Sequence, residues 1–141
     1  MGKLFNISVA SSIAVHSLAL IAVSDEMLNA SQISDRLKLS KNHISKVLQL
    51  LAKFKIITAT RGPSGGFKLL RGPESVSVFE IMEIIDGRIE VAHCGHEEDT
   101  CPFEDCVFGD ERQKLLEEFK GYYSNRKLSD IKISVKGGQG L

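Results

Sequence analysis

The sequence predicts a mostly α fold with a small β-hairpin, a winged helix-turn-helix followed by a long C-terminal dimerisation helix. Three observations predict it. Two short amphipathic segments flank the turn "KLS" at 38–40, as in a helix-turn-helix. Behind them, two short strand-like runs flank "GPSGG" at 62–66, a tip that Gly and Pro can bend. The last third carries another helical stripe, remote from that unit in sequence.

The elements follow in order. Residues 7–23 are apolar and Ala-rich, with Ile7, Ala10, Ile13, Ala14, Leu18 and Ile21 at helical spacing, a buried first helix. "ASQISDRLK" at 30–38 reads as a second helix, with Ile33 and Leu37 facing inward and Ser31 or Asn29 as its cap. Ser40 is a plausible cap for a third helix over 41–54, whose apolar face is Ile44, Val47, Leu48 and Leu51. Strands are expected over 56–61 and 67–70. "SVSVFEIMEIIDG" gives a fourth helix with Ser77 as cap, Glu80 as its capping-box partner and Gly87 at the stop. A cysteine loop follows, then a long helix from near Val107 to Tyr123. The stripe of that helix is Phe108, Leu115, Phe119 and Tyr122, with Leu116 and Tyr123 alongside. So far from the winged-helix core, it has little in its own chain to pack against, and a second copy is the expected partner across those six residues. The organisation is a DNA-binding domain over 1–87, a sensor loop over 88–106, a dimerisation helix and C-terminal segment over 107–133, and a disordered tail over 134–141.

Composition bounds the function. A chain of 141 residues, 43% apolar, is one ordinary domain with a real core. No window reaches the roughly 18 apolar residues of a membrane span. The run 13–23 contains His16 and has only Lys3 before it, so it does not read as a secretion signal. Three cysteines, an odd number, then point to free thiols or ligands in a reducing, cytoplasmic setting. The net charge of zero conceals an asymmetry: residues 35–72 hold nine Lys/Arg against one Asp, and residues 73–118 hold three against fourteen Asp/Glu. The basic half suits a polyanion and the acidic half does not. No Ser–His–Asp set, phosphate loop or nucleophile–base pair appears, so the chain does not read as an enzyme.

The third helix presents Lys41, Asn42, His43, Ser45, Lys46 and Gln49 away from its apolar face. Asn and Gln can pair with adenine, and Lys can reach guanine or phosphate. At the wing, Arg61 and Lys68 flank Ser64, Gly65 and Gly66, and the glycines let the backbone come close to a minor groove. A dimer of such units needs double-stranded DNA with two half-sites about one turn apart, a near-palindromic operator. All three thiols lie in "VAHCGHEEDTCPFEDCVF", residues 91–108, which reads as a metal or cluster site, a redox switch, or an accident of composition.

The stretch "ISKVLQLLAKFKIITATRGPSGGFKLLRGPESVSVFEIMEIIDG" resembles the bacterial regulator family that includes IscR, NsrR and CymR, the Rrf-two family. The wing signature, G-x-x-G-G-aromatic-x-L ahead of a helix ending in Gly, stands here as Gly62, Gly65, Gly66, Phe67, Leu69 and Gly87, and the similarity covers about residues 5–131. The resemblance implies a homodimeric DNA-binding protein, a repressor, in many members with an iron–sulfur cluster on three cysteines between the fourth helix and the dimer helix. Cys94, Cys101 and Cys106 fall there, spaced by six and then four residues, where the family pattern is nearer five to seven and then five. Three thiolates leave one iron position for another group, with His16, His93 and His96 as candidates. The resemblance would have such a cluster report redox state, nitric oxide or iron–sulfur status. Zinc on the same cysteines with His93 or His96 is the second reading. A thiol switch is the third, disfavoured because Glu97, Glu98, Asp99, Glu104 and Asp105 work against thiolate formation. A cluster-free regulator controlled by a small effector or partner protein is the alternative, and a zinc-binding or thiol-based enzyme ranks below it.

Overall fold

The computed structural model describes residues 6–92, 94–96 and 98–131. The order is α1 (Val9–Val23), α2 (Ala30–Leu37), α3 (Lys41–Lys53), β1 (Ile57–Thr60), β2 (Gly66–Leu69), α4 (Val78–Asp86) and α5 (Glu111–Asn125). Short 3₁₀ turns stand at Pro73–Ser75, Glu98–Thr100 and Leu128–Asp130. The winged helix-turn-helix is formed as expected.

α1 is the centre of the molecule. Ala14, Leu18 and Ile21 are buried together with Ile33 of α2, Ile44, Leu48 and Leu51 of α3, Ile57 of β1 and Ile81 of α4. Its small side chains let neighbouring helices approach closely. Asn29 and Gln32 form a reciprocal capping box at the start of α2, each bond 2.9 Å. The turn into α3 is held by Lys38 in the left-handed conformation, φ 56°, by the Leu39 amide donating to the Ser34 carbonyl at 3.2 Å, and by the Ser34 hydroxyl donating to the Leu39 carbonyl at 2.6 Å. These bonds pin Leu39 to the last turn of α2. The angle between α2 and α3 is thus fixed locally.

The hairpin pairs Ile57 with Leu69, Thr58 with Lys68, Ala59 with Phe67 and Thr60 with Gly66. The Phe67 amide also donates to the Leu28 carbonyl at 2.8 Å, which ties the wing to the segment before α2. Gly66 is buried at that junction, where a Cβ would lie 2.7 Å from the Leu28 carbonyl. Only glycine fits there.

Ser77 caps α4 by accepting from the Glu80 amide at 3.1 Å. Glu80 does not complete a capping box. Its carboxylate takes a two-pronged pair from Arg71, whose guanidinium also donates to the Ser75 carbonyl. The hydrogen bond to Glu80 holds Arg71 above its ordinary pKa. A bidentate pair of this kind fixes the path from the hairpin into α4.

The C-terminal helix begins later than the stripe predicts. Gly109 adopts φ 68° and donates to the Cys106 carbonyl, so Val107 and Phe108 lie in a turn and α5 starts at Glu111. Nor is its end unsupported by its own chain. After α5 the backbone returns: Val78 donates to the Arg126 carbonyl, Leu128 donates to the Val76 carbonyl, and the Leu128 side chain is buried in the core. The expected tail, 134–141, lies outside the described residues.

Candidate nucleic-acid interface and cysteine cavity

The outer face of α3 carries Lys41, Asn42, His43, Lys46 and Gln49, all exposed, with Ser45 half-buried between them. Ile44, Val47, Leu48 and Leu51 anchor the opposite face, so the polar row stands on a rigid support. No side-chain cap closes the start of α3 at Ser40, which leaves its first amides open to an anion. At the wing, Arg61, Ser64 and Lys68 are exposed and Gly65 is half-buried. Gly65 donates to the Gly62 carbonyl, and a Cβ there would strike the Thr60 carbonyl oxygen. Gly66 departs from expectation. Its missing side chain serves Leu28 inside the protein, so the outward part of the tip is Arg61, Ser64, Gly65 and Lys68.

The three cysteines share one cavity of about 650 Å³, with Val91, Ala92, His96, Pro102, Phe103, Glu104, Val107, Phe108 and Arg112 completing the wall. Cys94 and Cys106 are exposed and Cys101 is half-buried, and none is in a disulfide. Among the described residues, no group of three or more His, Cys, Asp or Glu is gathered to hold a metal ion. Of the histidine candidates, His96 lines this cavity. His93 lies outside the described residues. His16 sits on α1, exposed, with Nδ1 at 2.7 Å from the Ser12 carbonyl. A nitrogen facing a carbonyl must carry the proton, so a neutral His16 keeps its lone pair on Nε2.

One end of the loop is tied to the domain, and its two flanks are tied to each other. Where α4 ends, Asp86 accepts from the Ser8 hydroxyl at 2.7 and 2.8 Å and from the Ser11 hydroxyl at 2.7 Å. This carboxylate sits at the start of α1, where a negative charge is favourable. Where α5 begins, Arg112 donates to the Ala92 carbonyl at 3.2 Å and stacks on the Phe108 ring, 5.3 Å from its centre. Neither Asp86 nor Arg112 stood out in the sequence. Arg112 had one legible sign, a cation within the acidic half. The Asp86 contact joins residues 78 and 75 positions apart, and no local pattern announces it.

Along α5, Leu115 and Tyr122 are exposed while Leu116, Phe119 and Tyr123 are half-buried. Tyr123 packs against Phe119 and Tyr122, with ring centres 4.7 and 4.8 Å apart. Phe108 is exposed too, but from the turn before the helix. α5 buries none of its residues within the chain.

The model of the Rrf2 family, described as an iron-dependent transcriptional regulator, matches residues 7–132. The chain belongs to the Rrf2 family. It is 33% identical over 84 residues to the HTH-type transcriptional regulator IscR of Cereibacter sphaeroides, a stretch that covers 59% of this chain and 54% of that one. With the HTH-type transcriptional regulator NsrR of Bacillus licheniformis it shares 29% over 108 residues, 75% of this chain and 67% of the relative. The chain spans about half the length of the first of these relatives. The structure of CymR, the global cysteine regulator of B. subtilis, matches with a TM-score of 0.70 at 17% identity, over 90% of this chain and 95% of that one. At that identity the likeness shows the winged-helix fold alone. The family model and both relatives are named as transcriptional regulators. Among the described residues, no helix is long and apolar enough to cross a membrane.

Proposed function

We propose that this Rrf2 chain is a homodimeric, cytoplasmic, DNA-binding repressor whose affinity for a near-palindromic operator is set by an iron–sulfur cluster on Cys94, Cys101 and Cys106. The observation that carries the reading is that all three thiols line one cavity between α4 and α5. The donor set suits the cofactor: three soft thiolates on a loop with slack, and half of the wall apolar. Gly95, at φ 94°, supplies a turn that other residues rarely adopt. When bound, the cluster supplies a centre that reacts with oxidants and nitric oxide. The cysteines would have to draw inward around it, because they do not gather tightly by themselves. His96 on the cavity wall and the exposed His16, which is not among the residues lining the cavity, are the described candidates for the remaining iron position.

On the DNA side, Lys41, Asn42, His43, Ser45, Lys46 and Gln49 would enter a major groove, and Arg61, Ser64, Gly65 and Lys68 would follow the adjoining backbone or minor groove. The second copy would cover Leu115, Leu116, Phe119, Tyr122 and Tyr123 of α5, with Phe108 at the margin. Reordering of the loop would then shift one α5 against the other and change the separation of the two α3 helices.

One observation favours a second reading. A cavity of about 650 Å³ with Phe103, Val107 and Phe108 in its wall is the size of a small-molecule site. A cluster-free regulator would use it for an effector, and zinc on the same thiols is the metal alternative. The experiment is anaerobic reconstitution of wild type and Cys101→Ala with ferrous iron and sulfide, followed by absorption, metal analysis and binding to duplexes selected from a random library. Brown wild-type protein, a colourless variant and different DNA affinities support the proposal. Colourless protein with stoichiometric zinc, or metal-free protein that binds DNA unchanged, overturns it.

A further inference from the structure

The acidic surroundings of the cysteines pose a physical problem. Three thiolates are already anionic, and Asp99, Glu104 and Asp105 stand close by in sequence. Among the described residues lining the cavity, Arg112 is the one Lys or Arg. Its side chain is held in two ways, by the bond from Nη1 to the Ala92 carbonyl and by stacking on Phe108. Its Nε is buried and has no hydrogen-bond partner among the described residues. A buried donor on a cation that lacks an acceptor is costly, and few native groups are left so. Thiolate sulfur in the cavity that Arg112 lines would be an acceptor of the right charge once the loop draws in around a cluster. Arg112 also occupies the first turn of α5, whose open amides add positive potential on the same side.

We propose that Arg112 is the counter-charge of the cysteine cavity, a positioning residue that donates to the sulfur of the bound cluster and sets its reduction potential. The inference rests on the cluster reading above and deepens it. One-electron reduction adds a negative charge to the cluster. A fixed guanidinium favours the more negative form and therefore raises the potential. The bond to Ala92 and the Phe108 stack hold that charge against the two flanks of the cysteine loop.

The test uses the full chain, reconstituted anaerobically with ferrous iron and sulfide, as wild type, Arg112→Gln and Arg112→Lys. Spectroelectrochemical titration gives each midpoint, and thermal unfolding of the cluster-free proteins shows that each folds. The expected result is a lower midpoint for Arg112→Gln, with about tenfold less reduced cluster at a given potential, or about 59 mV for one electron. Arg112→Lys should recover much of the shift, which a purely structural role would not predict. Equal midpoints in wild type and Arg112→Gln overturn the proposal and leave the cluster reading intact. If Arg112→Gln folds but loads no cluster, loading of Arg112→Lys supports the charge role and its failure overturns it. Wild type that takes up no iron and sulfide overturns the cluster reading itself, and this proposal with it.

Discussion

Leu128→Ala tests whether α5 is an independent arm or part of the domain. Leu128 follows α5 in sequence, yet it is 2% exposed and sits in the same core as Leu18, Leu48 and Ile81. Its amide bond to the Val76 carbonyl survives the substitution, so the change reports side-chain packing alone. Truncating a fully buried leucine costs the transfer of its lost carbons plus the cavity left behind, about 3 kcal/mol here. For a chain of this size, that corresponds to a fall of roughly 10 °C in Tm. The assay is thermal and urea unfolding by circular dichroism at one fixed protomer concentration, because association would raise the apparent stability of both proteins. The urea m-value should stay unchanged while the midpoint falls. A loss below about 1 kcal/mol would place Leu128 at the surface and refute the return of the chain into the core.

Three further outcomes are expected. Lys46→Ala and Arg61→Ala should each weaken DNA binding, and each should reduce the slope of log K against log salt by about 1 per lost phosphate contact, read by titration at several salt concentrations; an unchanged slope would place that residue away from the backbone. On the dimeric reading, Leu115→Ala with Tyr122→Ala should yield monomers at concentrations where that reading has wild type sediment as a dimer, with little loss of monomer stability because both residues are exposed; a persistent dimer would locate the interface elsewhere. Arg71→Gln should cost about 1 kcal/mol or less, since the pair with Glu80 is more than one-third exposed on both sides. Because Arg71 is raised in the folded state, its share of stability is complete below the unfolded arginine pKa and is lost only as pH rises through the higher folded value. The difference between Arg71→Gln and wild type should therefore be flat from about pH 6 to about pH 9 in urea unfolding, and a slope there would point to another titrating group.

The legible parts of this fold are those set by local chemistry. Ile33, Ile44, Leu48 and Leu51 carry a helical period, and Asn29, Ser77 and Gly87 mark ends that the structure confirms. The hairpin was readable because "GPSGG" can do little but turn. What escaped depended on distance in sequence or on competition. The spacing puts Glu80 in a capping box, and Arg71, nine residues before it, claims its carboxylate instead. The α5 stripe runs back in sequence to Phe108, but the positive φ of Gly109 interrupts the helix. Leu128 and Ile131 form a short apolar pair in a polar stretch, a signal too weak to show that the chain comes home. The cysteines were obvious as residues. Their shared cavity depends on how the loop from α4 to α5 is spanned, which spacing does not encode.

That loop is anchored to the domain at one end and clamped across its flanks. At one end Asp86 is bound by two hydroxyls from the start of α1, and at the other Arg112 holds the Ala92 carbonyl from the start of α5. Beyond α5, Leu128 is locked in the core that also positions α3. A change in the cysteine cavity therefore has few soft places in which to dissipate. It cannot slide α4 without straining the Asp86 bonds, and it cannot swing the far end of α5 without lifting Leu128. The compliant direction is the near end of α5, where Gly109 turns, Asp110 makes no side-chain cap and Leu115 is exposed. On the dimeric reading, that is the part of the helix through which a ligand state in the cavity would reach the partner copy. On that reading, a tilt about a pinned far end would move the two domains as rigid bodies. It would couple loop chemistry to the spacing of two recognition helices without remodelling either one.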